Sequence, residues 1–308
     1  MQTNTFGKTG FEVSRLGFGC APAAFLKSEK QQAASLIESL LDQGVNLLDT
    51  ALTYPGSQEF IGEFLSHRRK DYVLVSKCGQ RVPGSEAKEW TPEAISAAVE
   101  RALRVMKTDH VDVMLLHSCD LDTLKADDAI EALVQARDAG KIKHVGYSGD
   151  NEAAVFAVKL PDIAVIETSI NLVDQVNIDG VLPLATKHNV GIIAKRPIAN
   201  AAWKDLDAQP GFYKKYAKPY TERFAAMGLT IEELGFEGDP AEVWPEIALR
   251  FTLGFPAVST AIVGTTNPDN AQKNLAAVEK GPLSDDAVNL IRARFDQARN
   301  GQDWPGLT

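Results

Sequence analysis

Val111-Asp112-Val113-Met114-Leu115-Leu116-His117 is an almost unbroken apolar run that ends on an ionisable residue. A strand with one wet face alternates apolar and polar side chains, whereas a strand covered on both faces need not, so this run reads as part of a buried parallel sheet. Runs of the same kind recur on either side of it: Arg15 to Cys20, Asn46 to Asp49, Tyr72 to Lys77, Ile142 to Ser148, Ala164 to Thr168, Gly191 to Lys195 and Thr260 to Val263. Between them the apolar period lengthens to that of a helix. In Ser28 to Gln43, the residues Ala33, Leu36, Ile37, Leu40 and Leu41 fall on one face. Thr91-Pro92-Glu93 opens another helix, with Thr91 as cap and Pro92 in the first turn, where its missing N–H costs nothing. Asn267-Pro268-Asp269 repeats that device, and Ser284 caps a further helix running to about Ala298. Eight strands joined by helical crossovers predict a closed α/β barrel, (β/α)8, better than an open sheet.

Two segments stand outside the alternation. Residues 1–14 carry Gly7-Lys8-Thr9-Gly10 as a turn between two short polar strands, which predicts a hairpin plugging the bottom of the barrel. Residues 197–240 are long, aromatic and irregular, with Trp203, Phe212, Tyr213, Tyr216 and Tyr220, and are expected to form a lid or substrate loop. With a C-terminal helix and tail over 284–308, residues 1–308 are expected to make one domain. A net charge of −9 argues against nucleic acid, whose phosphates demand a basic face. No apolar stretch approaches the ~20 residues needed to cross a bilayer, and Met1-Gln2-Thr3-Asn4 lacks the basic start and apolar run of a secretion signal. A cytoplasmic location is the expectation. The three cysteines, Cys20, Cys78 and Cys119, are too scattered for a disulfide framework or a zinc site, so no metal is expected. All lie at or just beyond strand ends, either as small fillers or as thiols whose oxidation would impair activity.

Two fragments mimic nucleotide motifs and fail. Gly7-Lys8-Thr9 would need glycine at position 2 to end a phosphate-binding P-loop, and Gln2 is there. Gly17-Phe18-Gly19 would need a third glycine at position 22 for a dinucleotide fingerprint, and Pro22 is there. The chemistry is carried elsewhere. In a parallel barrel, the carboxyl ends of different strands converge on one mouth. Asp49, Lys77 and His117 end three successive strands, and Tyr54 follows Asp49 in the adjoining loop. A phenol has a reference pKa near ~10, and a neighbouring ammonium is expected to lower it. Asp49 would hold Lys77 charged and oriented, and His117 can donate to an oxygen that gains negative charge. Tyrosine and histidine together make a proton donor and an oxyanion site for a carbonyl under reduction. The protein has no hydride of its own, so a cofactor must bring one. Each residue alone admits a structural reading, as a salt bridge, a loop tyrosine or a core histidine. The four together, at strand ends and in chain order, point to chemistry.

Asp49-Thr50-Ala51-Leu52-Thr53-Tyr54, followed by Ser57-Gln58-Glu59-Phe60-Ile61-Gly62, resembles the signature of the aldo-keto reductase superfamily. The opening Phe6-Gly7-Lys8-Thr9-Gly10-Phe11 through Arg15-Leu16-Gly17-Phe18-Gly19 resembles that family's start, and the likeness runs from about residue 5 to 280. It implies that Tyr54 is general acid and base, that Lys77 and Asp49 tune it, and that His117 orients the carbonyl. It also implies NADPH, with NADH as the second choice, and a small-molecule carbonyl substrate. By the same likeness, Gly19 and Cys20 lie under the nicotinamide and Ser148 holds its carboxamide. Here the sequence departs. Gly149 follows Ser148 where the family has asparagine, and Glu167 stands where it has glutamine, although Asn171 keeps its place. A carboxylate can accept from the carboxamide NH2 but cannot donate to its carbonyl.

Lys195, within Ala194-Lys195-Arg196-Pro197, occupies a position where an aromatic residue commonly stacks on the ring. Lys195 or Arg196 either places a cation near the pyrophosphate or an anionic substrate, or contacts the lid or a nearby carboxylate. Gly264-Thr265-Thr266 opens the last barrel helix, whose start suits the phosphate on the adenosine side, with Asn270, Lys273 and Asn274 following. The basic residue often found at Asn270 is missing, as is the lysine some members have at Gly264. Aromatics in the loops (Phe25, Trp90, Trp203, Phe212, Tyr213) are candidates for a substrate pocket. Two other classes compete with the reductase: a cofactor-binding regulatory subunit of the same fold, and a lyase forming a Schiff base on Lys77. The second is disfavoured because Asp49 would keep that amine protonated.

Overall fold

The computed structural model describes residues 1–21, 30–208 and 211–307. Strands β1 (Thr3–Thr5) and β2 (Glu12–Ser14) pair antiparallel as a hairpin. Eight further strands follow: β3 (Leu16–Gly19), β4 (Leu47–Asp49), β5 (Val73–Cys78), β6 (Val111–His117), β7 (Ile142–Ser148), β8 (Ile163–Ser169), β9 (Gly191–Lys195) and β10 (Thr260–Val263). They pair in parallel with their neighbours, and β10 returns to β3 to close the barrel. The bounds match the apolar runs of the sequence to within a residue or so.

The period of two sorts each strand's residues into two cores. Leu47, Val73, Val75, Val113, Leu115, Val165 and Ile193 pack together inside the barrel. Their neighbours Leu48, Leu74, Met114, Leu116, Ile166 and Ile192 belong to the larger core under the helices. Continuing the inward series to the strand ends gives Asp49, Lys77, His117, Glu167 and Lys195. The alternation that fills the barrel with aliphatics thus aims five polar side chains into its mouth. In β7, Gly146 takes an inward place because a Cβ there would lie 2.4 Å from the Leu115 side chain.

The helices form the outer layer for legible reasons. Lys30–Asp42 buries Ala33, Ala34, Leu36, Ile37, Leu40 and Leu41. Pro92–Met106 starts at Thr91, whose hydroxyl accepts from the Ala94 amide, and ends at Lys107 in the left-handed region. Such a cap is worth about 1 kcal/mol. Asp285–Arg299 starts at Ser284, as its sequence predicts. The segment 197–240 is less irregular than expected, because it contains a helix over Gly211–Met227. Pro219 inside that helix hid it from a reading that treats proline as a breaker. Tyr220 and Phe224, one turn apart, nonetheless turn inward, Tyr220 buried and Phe224 edge-on to Trp244 at 4.9 Å. Phe25 and the side chains of Phe212 and Tyr213 lie outside the described residues. Among the described residues no helix is long and apolar enough to cross a membrane, and no cluster of side chains suits a metal ion.

Candidate active site

The mouth is assembled by register. Gly19 pairs with Asp49, His117 with Ser148, and Ser148 with Glu167, so these strand ends share one rim. Below it, Lys77 Nζ lies 2.7 and 2.5 Å from the two carboxylate oxygens of Asp49 and 3.2 Å from the carbonyl of Thr50. It is also 3.2 Å from Glu167 Oε2. All three ionisable groups are buried. Removing an ion from water costs several kcal/mol, so the arrangement requires close pairing of opposite charges.

Tyr54 sits in the turn after β4. Its amide donates to the Ala51 carbonyl, its carbonyl accepts from Ser57, and a 2.7 Å contact between the Thr50 and Ser57 hydroxyls pins the turn. The ring lies 5.2 Å from Lys77 Nζ and edge-on to His117, with centroids 6.0 Å apart. Thr53 Oγ1 is 3.3 Å from His117 Nδ1, and Gln80 Nε2 donates to the His117 carbonyl at 2.8 Å. A hydroxyl donating to Nδ1 leaves Nε2 as the N–H of a neutral ring.

Electrostatics corrects one expectation. Burial pushes the Tyr54 phenol up to about 12; Lys77 pulls it down, and the Asp49 and Glu167 carboxylates work against that pull. The ammonium therefore limits the rise rather than producing an acidic phenol. Burial, Lys77, Lys195 and Arg196 lower His117 to about 3, so its imidazole is neutral at ordinary pH. Burial and the neighbouring Glu167 carboxylate hold Asp49 well above the usual carboxylate range despite Lys77. Lys77 is raised because its two carboxylates outweigh the burial that opposes its charge.

The remaining candidates divide into three groups. Ser148 is buried on the rim, and the Cys20 amide donates to the Asp49 carbonyl at 2.8 Å. Three others are engaged within the protein. Lys195 pairs with buried Asp150 at 3.1 Å, which also accepts from Thr168, the Ser169 amide and Asn177. Arg196 donates to the Leu307 carbonyl and lies 3.4 Å from the Tyr220 and Ser169 oxygens. The Asn171 amide donates to the Arg196 carbonyl and accepts from Val173. Of the two readings of Lys195 and Arg196, the contacts present are those with a carboxylate and with the lid.

The third group lines a cleft of about 450 Å³ beside the mouth: Gly264, Thr265, Asn270, Lys273 and Asn274, facing Trp203, Lys204, Glu242 and Glu246. Thr266 turns the other way, toward Gln31 and Ser35. The helix Pro268–Glu279 is capped as Asn267-Pro268-Asp269 predicts: Asn267 Oδ1 accepts from the Asp269 and Asn270 amides, which are therefore not open to a phosphate. Lys273 is paired with Glu242, and Lys280 with Glu246. A second depression, about 790 Å³, lies between Ser118, Tyr147, Phe156 and Asn177, and neither Tyr54 nor Lys77 lines it. The three cysteines are buried and their thiols are held up by desolvation, Cys119 to about 12, which fits fillers rather than reactive thiols.

The model of the aldo/keto reductase family matches residues 15–294. The chain belongs to the aldo/keto reductase family. The chain is 27% identical to the uncharacterised oxidoreductase YqkF of Bacillus subtilis, over 96% of this chain and 97% of that one. It is 26% identical to a protein of Arabidopsis thaliana described as "Probable voltage-gated potassium channel subunit beta", over 92% of this chain and 93% of that one. The aldo-keto reductase AKR11C1 of Bacillus halodurans, in its holo form, superposes with a TM-score of 0.78 and 26% identity, over 96% of each chain. In this aldo/keto reductase the sequence reading missed Thr53, Gln80 and Asp150, which hold His117 and Lys195. Thr53 lies within the Asp49–Tyr54 motif, whereas Gln80 and Asp150 lie in loops, where no periodicity aims a side chain.

Proposed function

We propose that the protein is a nicotinamide-dependent carbonyl reductase, taking NADPH or NADH and reducing an aldehyde or ketone to the alcohol. The observation that carries this reading is the convergence of Tyr54, Lys77, Asp49 and His117 on one rim. A bound nicotinamide supplies the hydride. The residues of the chain supply the rest. Tyr54, fully protonated at neutral pH, hands its proton to the oxygen that gains charge. Lys77 stabilises the phenolate left behind and makes the transfer cheaper than in a site without it. Neutral His117 donates through Nε2 to the same oxygen and fixes the carbonyl between itself and Tyr54. Asp49 keeps Lys77 in place.

The groups present fit a dinucleotide. Glu167 Oε2 is buried without a hydrogen-bond partner, Gln80 Oε1 likewise, and the cleft from Gly264 to Asn274 starts beside the rim, where a Cβ on Gly19 would lie 3.6 Å from the Gly264 amide. Ser148, Glu167 and the backbone at Gly19 and Cys20 would hold the nicotinamide end, and Thr265, Asn270, Lys273 and Asn274 the adenosine end. The likeness to a channel β subunit supports a second reading, a regulatory subunit that binds nucleotide and turns over little. Following NADPH and NADH oxidation against a panel of aldehydes and ketones separates the two: turnover with any carbonyl supports the reductase. Nucleotide binding without turnover on the whole panel would overturn it in favour of the second reading.

A further inference from the structure

The buried cluster under the mouth holds two carboxylates and one ammonium. Lys77 is fully committed, with Asp49 at 2.5 and 2.7 Å and Glu167 at 3.2 Å. Glu167 has the geometry of the weaker partner, since its Oε2 accepts no hydrogen bond. Of the other groups facing the mouth, Lys195 is paired with Asp150, and neutral His117 and protonated Tyr54 add no charge. Arg196 donates to neutral oxygens of Leu307, Tyr220 and Ser169, so its cation still acts on the mouth, whether position 167 carries a charge or not. Glu167 therefore adds to the floor a second carboxylate for an ammonium that Asp49 already holds. That carboxylate interacts better with a cation placed above it than with a neutral group of the same shape.

On the proposed reading, the group placed there is a nicotinamide ring. It must sit within reach of the carbon whose oxygen Tyr54 protonates, and so over this floor. The ring is cationic when oxidised and neutral when reduced. We propose that Glu167 makes the site select the oxidised nucleotide over the reduced one. A glutamine would offer the same shape without the charge. The consequence is that hydride transfer to a carbonyl is made more favourable on the protein, while the site holds on to the spent nucleotide afterwards.

This inference rests on the reading of the mouth as a nicotinamide site, and the test separates the two. Fluorescence and calorimetric titrations give dissociation constants for NADP+, NADPH, NAD+ and NADH on the wild type and on Glu167→Gln. The wild type should bind the oxidised member of its preferred pair about tenfold more tightly than the reduced one, the fold-change of about 1.4 kcal/mol of differential charge interaction. In Glu167→Gln that ratio should fall to near one, while Glu167→Asp keeps most of it. A ratio unchanged by Glu167→Gln, with both forms still bound, overturns the selectivity and leaves the reductase reading standing. The wild-type ratio needs no folded variant, and tighter binding of the reduced form would overturn the proposal by itself. No binding of any of the four nucleotides to the wild type would overturn both.

Discussion

The mouth and the cleft between Lys273 and Glu242 both consist of lysines facing glutamates or aspartates, yet they are built in opposite ways. Under the mouth, Lys77 is completely enclosed and Asp49 and Glu167 each keep 2% of their side-chain surface. In the cleft, Lys273 and Glu242 keep 56% and 57%. The first set stands on strands whose backbone is fixed by ladders on both sides. The second stands on two helix surfaces. Water screens the second set and lets it exchange partners, so its pairing is worth little and is easily traded for a ligand phosphate. The first set has nowhere to go. One region is organised for a fixed field, the other for reversible contact.

The hardest blow to that contrast would be a Lys77→Met variant that folds normally. It should lose about 3–5 kcal/mol of unfolding stability in denaturant titrations, because two buried carboxylates are left without their cation. Adding Glu167→Gln and Asp49→Asn should restore much of the loss. Next in size, Tyr54→Phe should lower turnover by ~10²-fold or more while leaving nucleotide dissociation constants within a few-fold. Near-normal turnover would mean that another group delivers the proton.

The pH profile gives a third test. His117 titrates at about 3 and Tyr54 at about 12, so both are in their working forms for reduction across the range between. The rate of reduction from these two groups should be flat from acid into alkaline solution, while alcohol oxidation, which needs the phenolate, should climb with pH. A step near the ordinary histidine value would show that His117 is open to water. Stability should follow the same group. Its folded pKa lies below its unfolded one, so the unfolded chain takes up the proton first and stability falls as pH drops below about 6.5.

The smallest effect belongs to the cleft. Lys273→Ala should leave unfolding stability almost unchanged, because water screens its pair with Glu242. It should weaken NADPH by a few-fold and NADH hardly at all, read from parallel titrations. Equal weakening of both would place Lys273 away from the 2′-phosphate.

The same contrast explains what could be read in advance. The barrel followed from Val111–His117 and its repeats because burial on both faces writes itself as unbroken apolar sequence. The directions of Asp49, Lys77 and His117 followed too, since a strand's period of two continues from the inner aliphatics to the strand's last residue. Glu167 was noticed only as a departure from a family pattern. Its place in the inward series after Val165 would have predicted that it meets Lys77. The acidity of Tyr54 was misjudged because residue types report which charges are near, not how much water has left. The helix Gly211–Met227 was hidden by Pro219. The cap at Asn267 is legible in Asn267-Pro268-Asp269, and the amides it occupies are ones that a phosphate at that helix start would need.

At the opposite end of the barrel, the hairpin turn brings Phe6 against Gly191, where even a Cβ would approach the ring to 2.5 Å. Phe6 and Val13 complete the inner aliphatic core, and Lys8 reaches across to the Pro161 carbonyl at 2.7 Å. The barrel is thereby stoppered at its base. On the proposed reading, protons lost by Tyr54 would then come and go by the mouth alone. With nucleotide and carbonyl seated there, each turnover would draw on the protons already inside.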